Sequence, residues 1–98
     1  MGAAVNMIVL DAADNVGVAL RDIGAGELAA DAAGHQLTAV EAIPQGHKIA
    51  LGPIEAGAKI LRLGVPVGIA LPAIEVGHLV HVHNVRSQYL NNDHDQYE

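Results

Sequence analysis

The chain has 98 residues, a length that suits one small domain, and no cysteine, which excludes a disulfide framework and thiol chemistry. Apolar residues make up 51% but aromatic ones only 2%, so the core is built from Val, Ile, Leu and Ala and gains from burial against other chains. A formal charge of −6 without a basic cluster argues against nucleic acid and against an anionic membrane surface.

No basic, apolar leader opens the chain, and no run approaches the roughly 20 apolar residues of a membrane span. The expectation is a soluble, cytoplasmic protein. Met7 to Leu10 is a short apolar run, closed by Asp11-Ala12-Ala13-Asp14-Asn15, which reads as a turn. Val16 to Leu20 follows as a second strand, giving a hairpin.

One small unit then recurs, Ile-x-x-Gly followed by an alternating apolar run. It begins at Ile23, Ile43, Ile54 and Ile74, with spacings of 20, 11 and 20 residues. The unit reads as a buried Ile, a bend and a Gly free to take positive φ. The pattern predicts two related halves offset by 31 residues. Strands are expected to leave each bend at Glu27–Ala29, His47–Leu51, Ala58–Leu63 and from His78 onward. Ala29 to Ala33 has helix propensity but stops at Gly34, and reads as a hairpin loop or a single turn. Frequent Gly and Pro leave no room for long helices, and the fold class expected is all-β, made of short strands and bent hairpins.

The chemically able side chains cluster late, in Gly77-His78-Leu79-Val80-His81-Val82-His83-Asn84-Val85. Read as one strand, it puts Leu79, His81, His83 and Val85 on one face and Val80, Val82 and Asn84 on the other. Two imidazoles on one face can converge on a proton, a carboxylate or a metal; they can equally be two hydrogen-bonded histidines on the wetter face of a strand. A metal held by His81 and His83 needs further ligands, and His47, Asp14 and His35 are the candidates. His47-Lys48, just after the bend at Gly46, offers a proton-transfer group and a cation for a carboxylate. Its position parallels Gly77-His78. Neither glycine pair at Gly24/Gly26 or Gly64/Gly68 has a phosphate-loop pattern, and the single serine, Ser87, sits outside any nucleophile elbow. Arg86 to Glu98 is polar and without period, and reads as a tail or linker.

Four segments occur in order: Asp14-Asn15-Val16-Gly17-Val18-Ala19, Ile43-Pro44-Gln45-Gly46-His47-Lys48-Ile49-Ala50-Leu51, Gly64-Val65-Pro66-Val67-Gly68 and Val80-His81-Val82-His83-Asn84-Val85. Together they resemble the small N-terminal module of the altronate and galactarate dehydratases, a SAF-type β-clip domain. The module is also similar to the small subunit of sulfolactate sulfo-lyase. The resemblance implies a β-clip domain over residues 1–85, with 86–98 as the tail. It implies a lyase that removes water, or sulfite, from a small hydroxy acid, with divalent iron as the cofactor. It also implies a large catalytic partner, fused or separate. On that reading His47, Lys48, His81 and His83 are the catalytic candidates, Asp14, Asn15 and Asn84 touch substrate, and His81 and His83 hold the metal. A binding or assembly module without catalytic residues is the competing reading. Bare strand edges argue for pairing with a second copy or with the large chain.

Overall fold

The computed structural model describes residues 4–81 and 85–86. His83 and Asn84 lie outside the described residues, as do Val82 and all of the tail beyond Arg86. The described residues are strand and turn throughout, with no helix. The all-β expectation is therefore met.

Among the described residues, nine short strands form three antiparallel sheets. They are β1 (Met7–Ile8), β2 (Val16–Ala19), β3 (Leu28–Ala30), β4 (Gln36–Thr38), β5 (Lys48–Ala50), β6 (Lys59–Arg62), β7 (Val65–Ala70), β8 (Leu79–Val80) and β9 (Val85–Arg86). The central sheet has the order β1-β2-β5-β8. From β2 the chain runs out as the bent hairpin β3–β4 and returns on β5. From β5 it runs out again as β6–β7 and returns on β8. The two excursions are the two halves expected from the repeat, and they share β5.

Each Ile-x-x-Gly unit makes the same corner. The Ile residues pair across each excursion, Ile23 with Ile43 and Ile54 with Ile74, and all four are buried. A β-turn follows each, closed by Glu27 N–H to Gly24 O at 3.0 Å and His47 N–H to Pro44 O at 3.0 Å in the first excursion. Ala58 N–H to Glu55 O at 2.9 Å and His78 N–H to Glu75 O at 3.3 Å close the second pair. The glycine is the third residue of each turn, with φ between 84° and 86°, the left-handed region that a side chain disfavours. Each glycine N–H then donates to the carbonyl of a buried alanine: Gly26 to Ala39, Gly46 to Ala19, Gly57 to Ala70 and Gly77 to Ala50. Those alanines stand four residues before each Ile. The full unit is Ala-x-x-x-Ile-x-x-Gly, one residue type longer than the sequence reading had it.

Alternation along the central strands sends side chains to opposite faces, and each face carries a core. Met7, Ala19 and Ile49 join Ile23, Ala29, Ala39 and Ile43 on one side. Val16, Ala50 and Val80 join Ile54, Ile60, Ala70 and Ile74 on the other. The central sheet is thus clamped between the two excursions. Asn6, buried within the first, is the one buried polar residue among those described. Its amide accepts from Ala30 N–H at 2.8 Å and donates to Leu28 O at 2.9 Å, so it acts as an extra strand partner for β3.

The stretch Ala29–Ala33 divides as expected of a hairpin: Ala29 and Ala30 end β3, and a turn follows. The single strand read from His78 to Val85 needs correction. β8 belongs to the central sheet and pairs with β5, whereas β9 pairs with β7 in the outer sheet, Ile69 opposite Arg86 and Ala70 opposite Val85. Val80 and Val85, placed on opposite faces by simple alternation, pack against the same core. A strand that changes sheets loses its two-residue phase.

Candidate functional site

Strand register assembles the site. β5 and β8 are antiparallel, with Lys48 opposite Val80 and Ile49 opposite Leu79. One step further along that ladder puts His47 opposite His81. Their rings meet with centroids 4.7 Å apart and planes tilted by 57°. Both residues are partly buried, at the end of the face that carries Ile49 and Leu79. The apolar row shields one side of the pair and solvent reaches the other. His47 Nδ1 lies 3.4 Å from the Gln45 carbonyl oxygen, a contact that favours a proton on Nδ1 and leaves Nε2 with its lone pair in the neutral ring.

Lys48 follows His47 directly, so alternation turns its side chain to the opposite face, the one shared with Val80. The structure brings His47 and His81 together, and Lys48 leaves the strand on the face it shares with Val80. The described residues supply two imidazoles here, one short of the three protein ligands usual in a catalytic metal centre. Among the described residues no group of three or more His, Asp or Glu side chains is placed to hold a metal ion.

Asp14 and Asn15 lie elsewhere and are engaged with the main chain. Asn15 spans β6 as Asn6 spans β3: its Nδ2 donates to Lys59 O at 2.9 Å and its Oδ1 accepts from Leu61 N–H at 2.8 Å. Asp14 accepts from Leu63 N–H at 2.8 Å and Gly64 N–H at 2.7 Å, the turn residues of the β6–β7 hairpin. His35, a possible further ligand by sequence, is bound within its own hairpin, with Nδ1 2.7 Å from Asp31 Oδ2. Burial of Asp31 opposes its charge, but hydrogen bonds from the His35 ring and backbone outweigh that and hold the carboxyl below its ordinary range. Exposed Glu27 is also held below the ordinary range, first by the Gly24 N–H and then by Arg21.

A second histidine contact escaped the sequence reading. Glu41 Oε2 accepts from Leu79 N–H at 3.0 Å and lies 3.2 Å from His78 Nδ1. Glu41 thus ties the first excursion to the start of β8, just ahead of His81. The signal available was slight: Glu41 is the only charged residue between Asp31 and Lys48. Beside it, Val40 N–H donates to Gly77 O at 3.0 Å where the chain segments cross.

The model of the altronate/galactarate dehydratase SAF domain matches residues 5–88. Altronate dehydratase of Escherichia coli (strain K12) is 41% identical over 91 residues, covering 92% of this chain and 18% of that protein. Altronate dehydratase of Bacillus subtilis (strain 168) is 42% identical over 74 residues, 76% of this chain and 15% of that protein. The (2R)-sulfolactate sulfo-lyase subunit alpha of Chromohalobacter salexigens is 30% identical over 91 residues, 87% of this chain and 97% of that subunit. The chain thus spans less than a fifth of the altronate dehydratases it matches, and nearly all of the sulfo-lyase subunit.

Proposed function

Because the chain belongs to the altronate/galactarate dehydratase SAF domain family, we propose that it serves a sugar-acid dehydratase, as a small subunit or as a domain. A large catalytic partner completes the site, and this chain contributes His47 and His81. The observation that carries the reading is the cross-strand imidazole pair, with centroids 4.7 Å apart, on a sheet clamped from both sides.

Dehydrating a hydroxy acid removes a proton beside the carboxylate and expels a hydroxide as water. One group must take the proton and another must protonate the leaving oxygen. Imidazole does both near neutral pH. The arrangement suits His47 Nε2 as the base, since its Nδ1 faces the Gln45 carbonyl, and His81 as the partner that supplies or relays the second proton. The apolar row of Ile49 and Leu79 limits water on the inner side of the pair. The two imidazoles fall short of a metal's ligand set among the described residues, and a divalent iron at this pair would need further ligands. His83 stands as a candidate ligand on sequence alone.

A sulfolactate sulfo-lyase is the second reading. It is supported by a match that covers 97% of the (2R)-sulfolactate sulfo-lyase subunit alpha. Identity favours the dehydratase, at 41% and 42% against 30%. The test is turnover by this chain co-expressed with the large lyase chain of its own source, on altronate, galactarate and (2R)-sulfolactate. His47→Ala and His81→Ala are each expected to reduce kcat by about 10²–10⁴-fold with assembly intact. Loss of turnover only when the whole chain is left out would make it an assembly module instead.

A further inference from the structure

The two imidazoles of the site are not held alike. β5, which His47 precedes, runs between β2 and β8 in the central sheet. His47 is fixed through both of its backbone groups: Ala19 N–H donates to its carbonyl at 2.9 Å, and its own N–H donates to Pro44 O at 3.0 Å. His81 follows β8, the outer strand of that sheet, and stands one residue past the laddered pair of Lys48 with Val80. The 4.7 Å approach of the two rings therefore depends on how firmly β8 lies against β5.

Glu41 supplies a hold on the far side of β8. Ala50 N–H donates to His78 O at 3.0 Å, so that carbonyl faces β5, and the Leu79 N–H across the same trans peptide faces away from it. Among the described residues no strand runs along this outer edge, and Glu41 Oε2 takes the Leu79 N–H at 3.0 Å. The same oxygen lies 3.2 Å from His78 Nδ1, which keeps the carboxylate at the edge. The base of Glu41 is itself anchored: Val40 N–H donates to Gly77 O at 3.0 Å, Ala39 and Ile43 on either side are fully buried, and Ile43 pairs with Ile23. Asn6 and Asn15 clip the main chain of β3 and β6 in the same manner, so a polar side chain standing in for a strand neighbour recurs in this fold. Of the three, Glu41 grips the strand that leads into the histidine pair.

We propose that Glu41 is a positioning residue for the histidine pair: its carboxylate, anchored on the first excursion, fixes Leu79 and so sets the approach of the His81 ring to His47. This rests on the reading that the pair acts in a lyase site. What the role requires is an acceptor oxygen at that reach and not the negative charge, because the group held in place is a main-chain N–H. Proton transfer between a substrate and either ring tolerates little misplacement, so the bond counts in turnover more than in substrate affinity.

The test uses this chain in complex with the large lyase chain of its own source, assayed on altronate, galactarate and (2R)-sulfolactate at checked subunit ratios. Glu41→Gln keeps the acceptor oxygen and its reach, and is expected to stay within about twofold of wild-type kcat. Glu41→Asp keeps the charge but withdraws the oxygen by one methylene. It and Glu41→Ala are expected to lose about 10–100-fold in kcat with KM nearly unchanged. Full turnover by Glu41→Ala, or a loss in Glu41→Gln as large as in Glu41→Asp, overturns the proposal. If Glu41→Ala does not fold, Glu41→Gln against Glu41→Asp decides in the same way. An NMR cross-peak between the ring protons of His47 and His81, read on the full chain, is expected in wild type and Glu41→Gln and should fade in Glu41→Asp. Equal cross-peaks in all three overturn the positioning role. A wild-type complex that turns over none of the acids overturns the lyase reading itself, and the cross-peaks then still decide the role of Glu41.

Discussion

Gly46 and Gly77 occupy the same place in the same repeated turn, with φ of 84° and 86°, and substituting alanine at each separates two costs. At Gly46 an added Cβ meets nothing within 4 Å, so only the left-handed backbone is penalised, at about 1–2 kcal/mol. At Gly77 the added Cβ would run into the Thr38 carbonyl oxygen and sit 3.3 Å from Val40 N, because the first excursion crosses there. Neither neighbour is a flexible side-chain end. Relief requires moving backbone, which adds about 1–3 kcal/mol for overpacking. The 3.0 Å bond from Val40 N–H to Gly77 O would be lost with it, about 1 kcal/mol more. Gly77→Ala is therefore expected to cost about 3–6 kcal/mol, against total stabilities of about 5–15 kcal/mol for domains of this size. Urea denaturation followed by circular dichroism measures both variants. Gly46→Ala should stay folded with a modest fall in midpoint, and Gly77→Ala should lose about three times as much stability, with a correspondingly larger fall in midpoint. Equal losses at the two sites would refute the crossing as a structural joint.

Asn15→Ala strips two hydrogen bonds from β6, and leaves the Leu61 N–H without its side-chain acceptor. A loss of about 1–3 kcal/mol is expected, with faster amide exchange at Leu61 and little change in β3. Asn6→Ala should do the reverse, freeing Ala30 N–H in β3 while β6 stays protected, and at a higher cost because Asn6 is buried. The Asp31 carboxyl is held below its ordinary range when folded, so its contribution is complete above the unfolded value and drains away as pH falls through the folded one. Urea midpoints taken from about pH 6 down to pH 3 should fall less steeply in Asp31→Asn than in wild type. Parallel slopes would contradict that assignment.

What the sequence made legible is mostly local. The four Ile-x-x-Gly units disclosed the corners and the 31-residue offset because a type II turn needs glycine at one position. The alanines at Ala19, Ala39, Ala50 and Ala70 were equally periodic, yet an alanine carries no chemical signal that its carbonyl will receive a glycine N–H. The histidine pair shows the limit more sharply. Local alternation proposed His81 with His83, which lies outside the described residues, and gave no sign of the pair His47 with His81. That pairing depends on the β5–β8 register, set by residues 34 positions apart in the chain. Alternation also failed between Val80 and Val85, since the strand leaves one sheet for another. Asp14-Asn15 were read as a turn and as substrate contacts. Their bonds to Lys59, Leu61, Leu63 and Gly64 are long-range and could not be seen from Asp14-Asn15 alone.

The central claim is that the His47–His81 pair acts in a lyase site completed by a large partner. It is tested most directly by kcat of the purified complex on altronate, galactarate and (2R)-sulfolactate, with wild-type, His47→Ala and His81→Ala chains and subunit ratios checked for each. The account predicts turnover of one of these acids by wild type, and a loss of about 10²-fold or more in both variants at unchanged stoichiometry. Full turnover by His47→Ala and His81→Ala in intact complexes would contradict it, and would leave this chain an assembly module.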